Sequence, residues 1–397
     1  MLEYAGSQRA GLQRHRDGVA LGAVLRSLDW VLVAGVVGLV AVGLWAISGV
    51  TRFDVPGAPQ HYLQRQIAYA VVGGVALVVG LVIDPDVYRR YWRPIFIGTV
   101  SLIAIVLLAG KAARGSTRWI NVGFFTFQPS EFGKLLFVLA IAGYITERAR
   151  GGTSWRTTLR TLGFGVIPVV LVFVQPDLGT ALVYSAALAA MLFVCGTPWR
   201  QLAVLGSIAV LGIVVVLWAG PAMGVNFLKP YQKSRLTCFV HPQKCTVDAR
   251  YNLEQSIAAV GSGQFHGRGP KNATQTRLNF LPEHGTDFVF ASYSEQRGFV
   301  GASLLLALYL LVLWRGLRII TVARDLYAAI VAGGIVVALL FQIFVNVGMT
   351  MGIAPITGIP LPFVSVGGSS MIANLAAMGV LLAIHARGRA SRAARRR

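Results

Sequence analysis

The sequence predicts an all-α, polytopic membrane protein of about ten transmembrane helices, with one large extracellular loop between the seventh and the eighth. Three observations carry that prediction. First, 55% of the 397 residues are hydrophobic and only 13% are charged, with a mean hydropathy of +0.65. A soluble chain cannot hide so much apolar surface. Second, the apolar residues fall in runs of about 20, the length a helix needs to cross a bilayer. The runs lack the alternation of barrel strands, and in lipid a helix satisfies its own backbone groups. Third, the cations behind a net charge of +21 gather mostly in connectors and at both ends. Topology and anionic lipid headgroups account for that pattern, so no nucleic-acid partner is expected.

In chain order, residues 1–29 form a basic cytoplasmic N-terminal segment. The first apolar run has no small-residue cleavage site after it and reads as a retained helix, not a signal peptide. The spans fall at about 30–47, 66–83, 94–108, 131–145, 162–174, 179–195, 202–223, 299–317, 327–347 and 369–384. They make one transmembrane domain over 30–384, with a large outer loop at 224–298 and a basic cytoplasmic tail at 385–397. The short connectors after spans two, four, six and eight are basic and fall inside with both termini.

Two outer segments carry cations against that rule. One holds Lys111, Arg114 and Arg118, and the other holds Lys229, Lys233, Arg235 and Lys244 among others. Either an anionic ligand needs them there, or long loops cross regardless of charge. Cys238 and Cys245 lie in the second segment. In an oxidising compartment they are candidates for a disulfide, against two free thiols. Cys195 reads as packing, and no metal-ligand spacing of His and Cys occurs.

Four polar clusters fall on the outer side. The first runs from Arg118 and Trp119 to Gln128, Pro129, Ser130, Glu131 and Lys134. Ser130 reads as a helix N-cap, and Glu131 and Lys134 share a helix face. Two ionisable groups at the edge of a span either line a polar cavity or neutralise each other as an ion pair. The second is Gln175-Pro176-Asp177-Leu178-Gly179-Thr180, a turn in which Asp177 caps span six or does more. The third begins with Gly261, Gly263, Gly267 and Gly269, whose backbone could approach a phosphate, although no P-loop is present. It ends at Glu283, Thr286, Asp287 and Glu295. Asp287 stands where the polar loop meets an apolar helix. Partial burial there suits a general base, and complementing a helix dipole is the alternative. Glu295 is a partner of that group or a solvated carboxylate. The fourth runs from Asn346 through the charge-free Pro/Gly stretch to Ser369 and Ser370, either a wall for a lipid chain or a structural plug.

These strings resemble the SEDS family (shape, elongation, division, sporulation). The resemblance rests on Arg118-Trp119-Ile120, Gln128-Pro129-Ser130-Glu131 with Lys134, Gln175 to Thr180, Phe280-Leu281-Pro282-Glu283, Thr286-Asp287-Phe288 and Gly367 to Ser370, with Tyr231-Gln232 and Arg235. It extends from the first span to the last. The wording Thr357-Gly358-Ile359-Pro360-Leu361-Pro362 is similar to the RodA, or elongation, branch more than to FtsW. The resemblance implies a peptidoglycan glycosyltransferase of the bacterial cytoplasmic membrane that polymerises lipid II into undecaprenyl-linked glycan. It implies a class B penicillin-binding protein as transpeptidase partner and Mg²⁺ or Mn²⁺ as cofactor, without a readable ligand set. Asp287 would be the essential carboxylate, with Glu131, Lys134 and Asp177 lining the same cavity and Trp119 near it. The remaining candidates for substrate contact are Arg118, Gln128, Ser130, Glu283, Glu295 and Ser369. Two departures stand out: Gly285, where the family usually has His, with His284 displaced by one, and Val366, where it usually has Tyr.

The implied chemistry is an inverting transfer. Asp287 takes the proton of the acceptor 4-hydroxyl, and Lys134, Arg118 or a metal steadies the departing diphosphate. Two rival readings are a lipid II flippase and a non-catalytic scaffold for the partner.

Overall fold

The computed structural model describes residues 27–109, 111–113, 116–122, 125–148, 154–216, 239 and 246–395. The first 26 residues, Cys238, Cys245 and most of 217–245 lie outside that set.

Within the described residues all the expected spans are helices. They are α1 (Trp30–Val50), α2 (His61–Val82), a short connector α3 (Pro85–Arg90), and α4 (Trp92–Ala109). Then come α5 (Pro129–Arg148), α6 (Trp155–Val174), α7 (Leu178–Val194) and α8 (Trp199–Val214). The outer segment holds α9 (Val247–Ser262), α10 (Gly269–Asn272) and α11 (Thr274–Arg277), and α12 (Val289–Val322), α13 (Leu326–Thr350) and α14 (Gly368–Arg395) complete the chain. Six of these, α1, α2, α6, α12, α13 and α14, are long and apolar enough to cross a membrane, and α4, α7 and α8 are shorter apolar helices. α5 joins them by packing rather than by hydropathy, since Glu131, Lys134, Glu147 and Arg148 dilute its apolar content.

α13, α14 and α5 form the centre of the bundle, buried along most of their length. α14 lies backbone-to-backbone on α2: a Cβ on Gly379 would strike the Leu77 carbonyl, and one on Gly80 would crowd the Ala376 carbonyl. α8 stands apart. Of its residues only Gln201 is buried, and the Thr158 hydroxyl donates to its Oε1 at 2.7 Å.

Three features depart from expectation. The polar stretch between α4 and α5 folds into a three-stranded antiparallel sheet, β1 (Lys111–Ala113), β2 (Ser116–Val122) and β3 (Phe125–Phe127), in that order. α12 begins ten residues before the predicted 299, with a break at Gly298 (φ 65°, ψ −164°). α14 runs through the basic tail to Arg395 without a stop at 384.

The break in α12 is built, not frayed. A helix interrupted by one residue strands backbone donors and acceptors. Here the segment 263–269 fills the gap: Phe299 N–H donates to Gln264 O at 2.8 Å, Val300 N–H to Phe265 O at 3.2 Å, and Arg268 N–H to Glu295 O at 2.9 Å. Any side chain on Gly298 or Gly267 would collide with the opposing backbone. The glycines of this stretch therefore serve a close approach of backbone to backbone. The amides of Gly263, Gly267 and Arg268 all donate to carbonyls, so the phosphate cradle considered from the sequence is not formed by them.

Candidate active site

The first turn of α5, the N-terminus of α7, the turn before α12 and the segment 351–367 meet at one end of the bundle. α5 starts at Pro129, so Gln128 rather than Ser130 precedes it. Ser130 sits inside the first turn, where its Oγ accepts from Gln128 Nε2 at 3.2 Å. The Gln128 backbone N–H donates to Ser369 Oγ at 2.9 Å. Ser369 in turn donates to Thr126 O at 3.2 Å, which ties the first turn of α14 to β3.

Asp177 caps α7: its Oδ1 accepts from Thr180 N–H at 3.1 Å. Its Oδ2 faces Gln128 Nε2 at 3.4 Å, so capping is one of two tasks. Tyr184, one turn beyond Thr180 on α7, donates to Ser130 O at 3.0 Å. Gly133 leaves room for that hydroxyl, which a Cβ would strike. Gln128, Ser130, Glu131, Asp177 and Ser369 are thus gathered on one buried surface.

Glu131 and Lys134 form an ion pair at 2.9 Å with side chains 1% and 10% exposed. Lys134 Nζ also donates to Gln342 Oε1 at 2.9 Å. Glu131 Oε1 is buried and has no hydrogen-bond partner among the described residues. It borders a cavity of about 30 Å³ between α5, α13 and α14, also lined by Gln342 and Asn374. That is room for a water or a hydroxyl group, with polar atoms to receive it.

Asp287 follows a tight turn. Glu283 O accepts from the N–H groups of Thr286 (3.1 Å) and Phe288 (3.2 Å), and Glu283 Oε2 accepts from Thr286 Oγ1 at 2.9 Å. The turn is pinned to the non-helical segment by Ser365 Oγ donating to Thr286 O at 2.6 Å and by Val366 N–H donating to Gly285 O at 2.9 Å. Asn346 Nδ2 donates both to Asp287 O at 2.9 Å and to Ile359 O at 2.7 Å. One helical turn away, Gln342 Nε2 donates to Pro360 O at 2.8 Å. Two amides spaced i,i+4 on α13 therefore hold the non-helical segment. One of them reaches the Asp287 backbone and the other reaches Lys134. The segment itself is buried, with Ile359, Leu361, Phe363 and Val364 in the core, as non-helical backbone at membrane depth requires. Asp287 is partly buried, at the boundary between this packed layer and the outer segment.

The two departures from the family pattern meet in space. Gly285 bonds to Val366, and a Cβ on Gly285 would stand 3.5 Å from Val366 Cγ2. His284 turns the other way, with Nδ1 3.1 Å from Leu281 O and Nε2 2.9 Å from Asp54 Oδ1 in the α1–α2 link.

Glu295 does not reach this group. It is fully buried and accepts from Gln275 N–H, Thr276 N–H and Thr276 Oγ1 at 2.7–3.0 Å, so its carboxylate anchors the first turn of α11. Arg118 and Trp119 belong to β2, and the positions of their side chains are outside the described set, as is the Cys238–Cys245 pair. Among the described residues no three of His, Cys, Asp and Glu gather around one point. Sequence reasoning missed Gln342, Tyr184 and Asn374. The signal for Gln342 was present: an amide inside an apolar run, four residues before Asn346.

Residues 26–390 match the model of the FtsW, RodA and SpoVE cell cycle protein family. The peptidoglycan glycosyltransferase MrdB of Escherichia coli K12 is 35% identical over 349 residues, 87% of this chain and 92% of that one. Among solved structures, a chain of a peptidoglycan synthase complex that coordinates polymerisation and crosslinking superposes with a TM-score of 0.76 at 30% identity, covering 91% of this chain and 98% of that one. The rod shape determining protein RodA of Thermus thermophilus gives 0.66 at 28% identity, covering 90% and 96%. A multi-pass helical bundle with these motifs in order, matched along nearly its whole length, belongs to the SEDS family of FtsW, RodA and SpoVE cell cycle proteins, on its RodA-like side.

Proposed function

We propose that this chain is a peptidoglycan glycosyltransferase that polymerises lipid II at the outer face of the bacterial cytoplasmic membrane during elongation. Both termini lie in the cytoplasm. One observation carries the reading: the Asp287 turn and the buried Glu131–Lys134 pair are joined through Asn346 and Gln342, one turn apart on α13. A carboxylate and a cation are held at one end of a membrane bundle by the same rigid element.

Asp287 removes the proton from the acceptor 4-hydroxyl as that oxygen attacks the donor's anomeric carbon. The bond to undecaprenyl diphosphate breaks, with inversion. Lys134 has a third N–H beyond its two bonds, and with Arg118 it supplies positive charge where the diphosphate departs. Gln128, Ser130, Asp177 and Ser369 shape the substrate surface. Glu283 fixes the turn that presents Asp287. A bound Mg²⁺ or Mn²⁺, as a hard cation, would take diphosphate oxygens and add to that positive charge. The partner is a class B penicillin-binding protein.

The flippase reading finds less support. Towards the other end of α5 the polar groups give way to buried Phe137, Val138, Leu139 and Ile141. The deciding experiment gives lipid II to the purified chain, alone and with its transpeptidase, and follows glycan length on gels. Glycan made by the unaltered chain but not by Asp287→Ala supports the reading. Equal polymerisation by both refutes the assignment of the base.

A further inference from the structure

The opposite end of the bundle carries a cavity that the polymerase reading does not use. It measures about 550 Å³ and is lined by Arg89, Arg90 and Arg93, with Trp92, Asp86 and Glu147. We propose that it binds the phosphodiester headgroup of an anionic membrane phospholipid.

The charges favour an anion. Both carboxylates are already engaged. Glu147 accepts from Trp92 Nε1 at 2.7 Å and from Arg93 at 3.2 Å, and Asp86 is held by Arg324. Arg89 stands 3.8 Å from Asp325, which Arg324 also faces at 3.6 Å. Arg90 meets no carboxylate among the described residues; its guanidinium lies 5.9 Å from the Tyr91 ring. The Arg93–Glu147 pair is open to water, 70% and 49% exposed, so Arg93 can turn towards a ligand at little cost. Arg148, next in sequence to the lining Glu147 and over the Tyr144 ring at 5.1 Å, adds a further positive charge. Guanidinium forks match phosphate oxygens, and such basic pockets between helices suit lipid headgroups.

The walls favour a lipid over a free ion. Gly143 lets the Trp92 ring lie against α5, where a Cβ would strike it. Trp92 meets Tyr144 edge-on at 5.5 Å, a rigid aromatic floor of the kind found at headgroup depth. Beyond Arg93, α4 presents outward-facing Ile97 (64% exposed) and Ile105 (53%), an apolar strip for an acyl chain.

The test uses the full-length purified chain, stripped of lipid and titrated with phosphatidylglycerol or phosphatidylcholine in nanodiscs, with bound lipid counted by native mass spectrometry. Phosphatidylglycerol is retained over phosphatidylcholine. Arg90→Gln and Arg93→Gln each lower its retention about five-fold, the loss expected for one cation near a lipid surface. Glu147→Gln, which frees Arg93, raises it. Equal retention of the two lipids, or unchanged retention in the arginine variants, overturns the proposal. Displacement of phosphatidylglycerol by millimolar inorganic phosphate alone overturns the lipid assignment in favour of a free anion. Lowered retention in Glu147→Gln also counts against it, and thermal unfolding of each variant reports whether it is folded. None of these readouts depends on the reaction at the other end.

Discussion

The two ends of the bundle hold their charges in opposite ways. At the basic end several cations are met by carboxylates that water still reaches: Arg93 with Glu147, Arg387 with Asp84 at 3.2 Å, and Arg324 with Asp86. Among the described carboxylates there, only Asp29 is deeply buried, gripped by Arg315 at 2.6 Å and capping α1 through Leu32 N–H. At the end that gathers Asp287, Glu131 and Lys134 are both buried, and one carboxylate oxygen has no partner among the described residues. Charges in water cost little and can serve topology or lipid. Charges withdrawn from water are expensive, and a bundle that keeps them has a use for them.

Five substitutions, one of them added to another, can break or sharpen that contrast. The largest effect is expected from Asp287→Ala: loss of at least about 100-fold in polymerisation, as for a missing general base, with the unfolding temperature held. A variant that keeps its activity would remove the distinction between the ends. Next is Lys134→Met, which strands the Glu131 carboxylate and should cost about 3–5 kcal/mol of stability, read from thermal unfolding in detergent. Adding Glu131→Gln should restore most of that stability without restoring activity, since both charges are then gone. Gly298→Ala forces a side chain into the left-handed region and against the 265–267 backbone, at a cost of about 1–3 kcal/mol. Limited proteolysis within 263–269 should speed up with it. The smallest effect belongs to Arg93→Gln, within about 1 kcal/mol in thermal unfolding because the pair it breaks is solvated. A larger loss there would mean that the charges of the basic end are tied into the fold as firmly as those of the other.

Much of this was legible in the chain itself. The spans follow from apolar runs whose length the bilayer dictates, and the polar clusters that the structure gathers announce themselves where spans begin. What escaped has physical causes. The start of α12 was hidden because 289–297 contains Ser292, Ser294, Glu295 and Gln296, which read as loop. All four are buried against the outer segment. The role of Glu295 depends on amides twenty residues upstream, which no local pattern shows. The hairpin before α5 is built from strands of three to seven residues, too short for a period to register. The tail of α14 is rich in Ala and Arg, good helix formers that extend a helix past its apolar part.

The repair of α12 by a neighbouring loop also constrains how this chain can be recombined with its relatives. Phe265 and Phe299 stack at 5.9 Å across the seam, so the two strands of chain recognise each other by shape as well as by backbone. A chimaera whose crossover separates 263–269 from the first half of α12 would pair mismatched halves, and the stretch leading to Asp287 would inherit the misfit. Exchanges that carry both across as a cassette keep the joint intact.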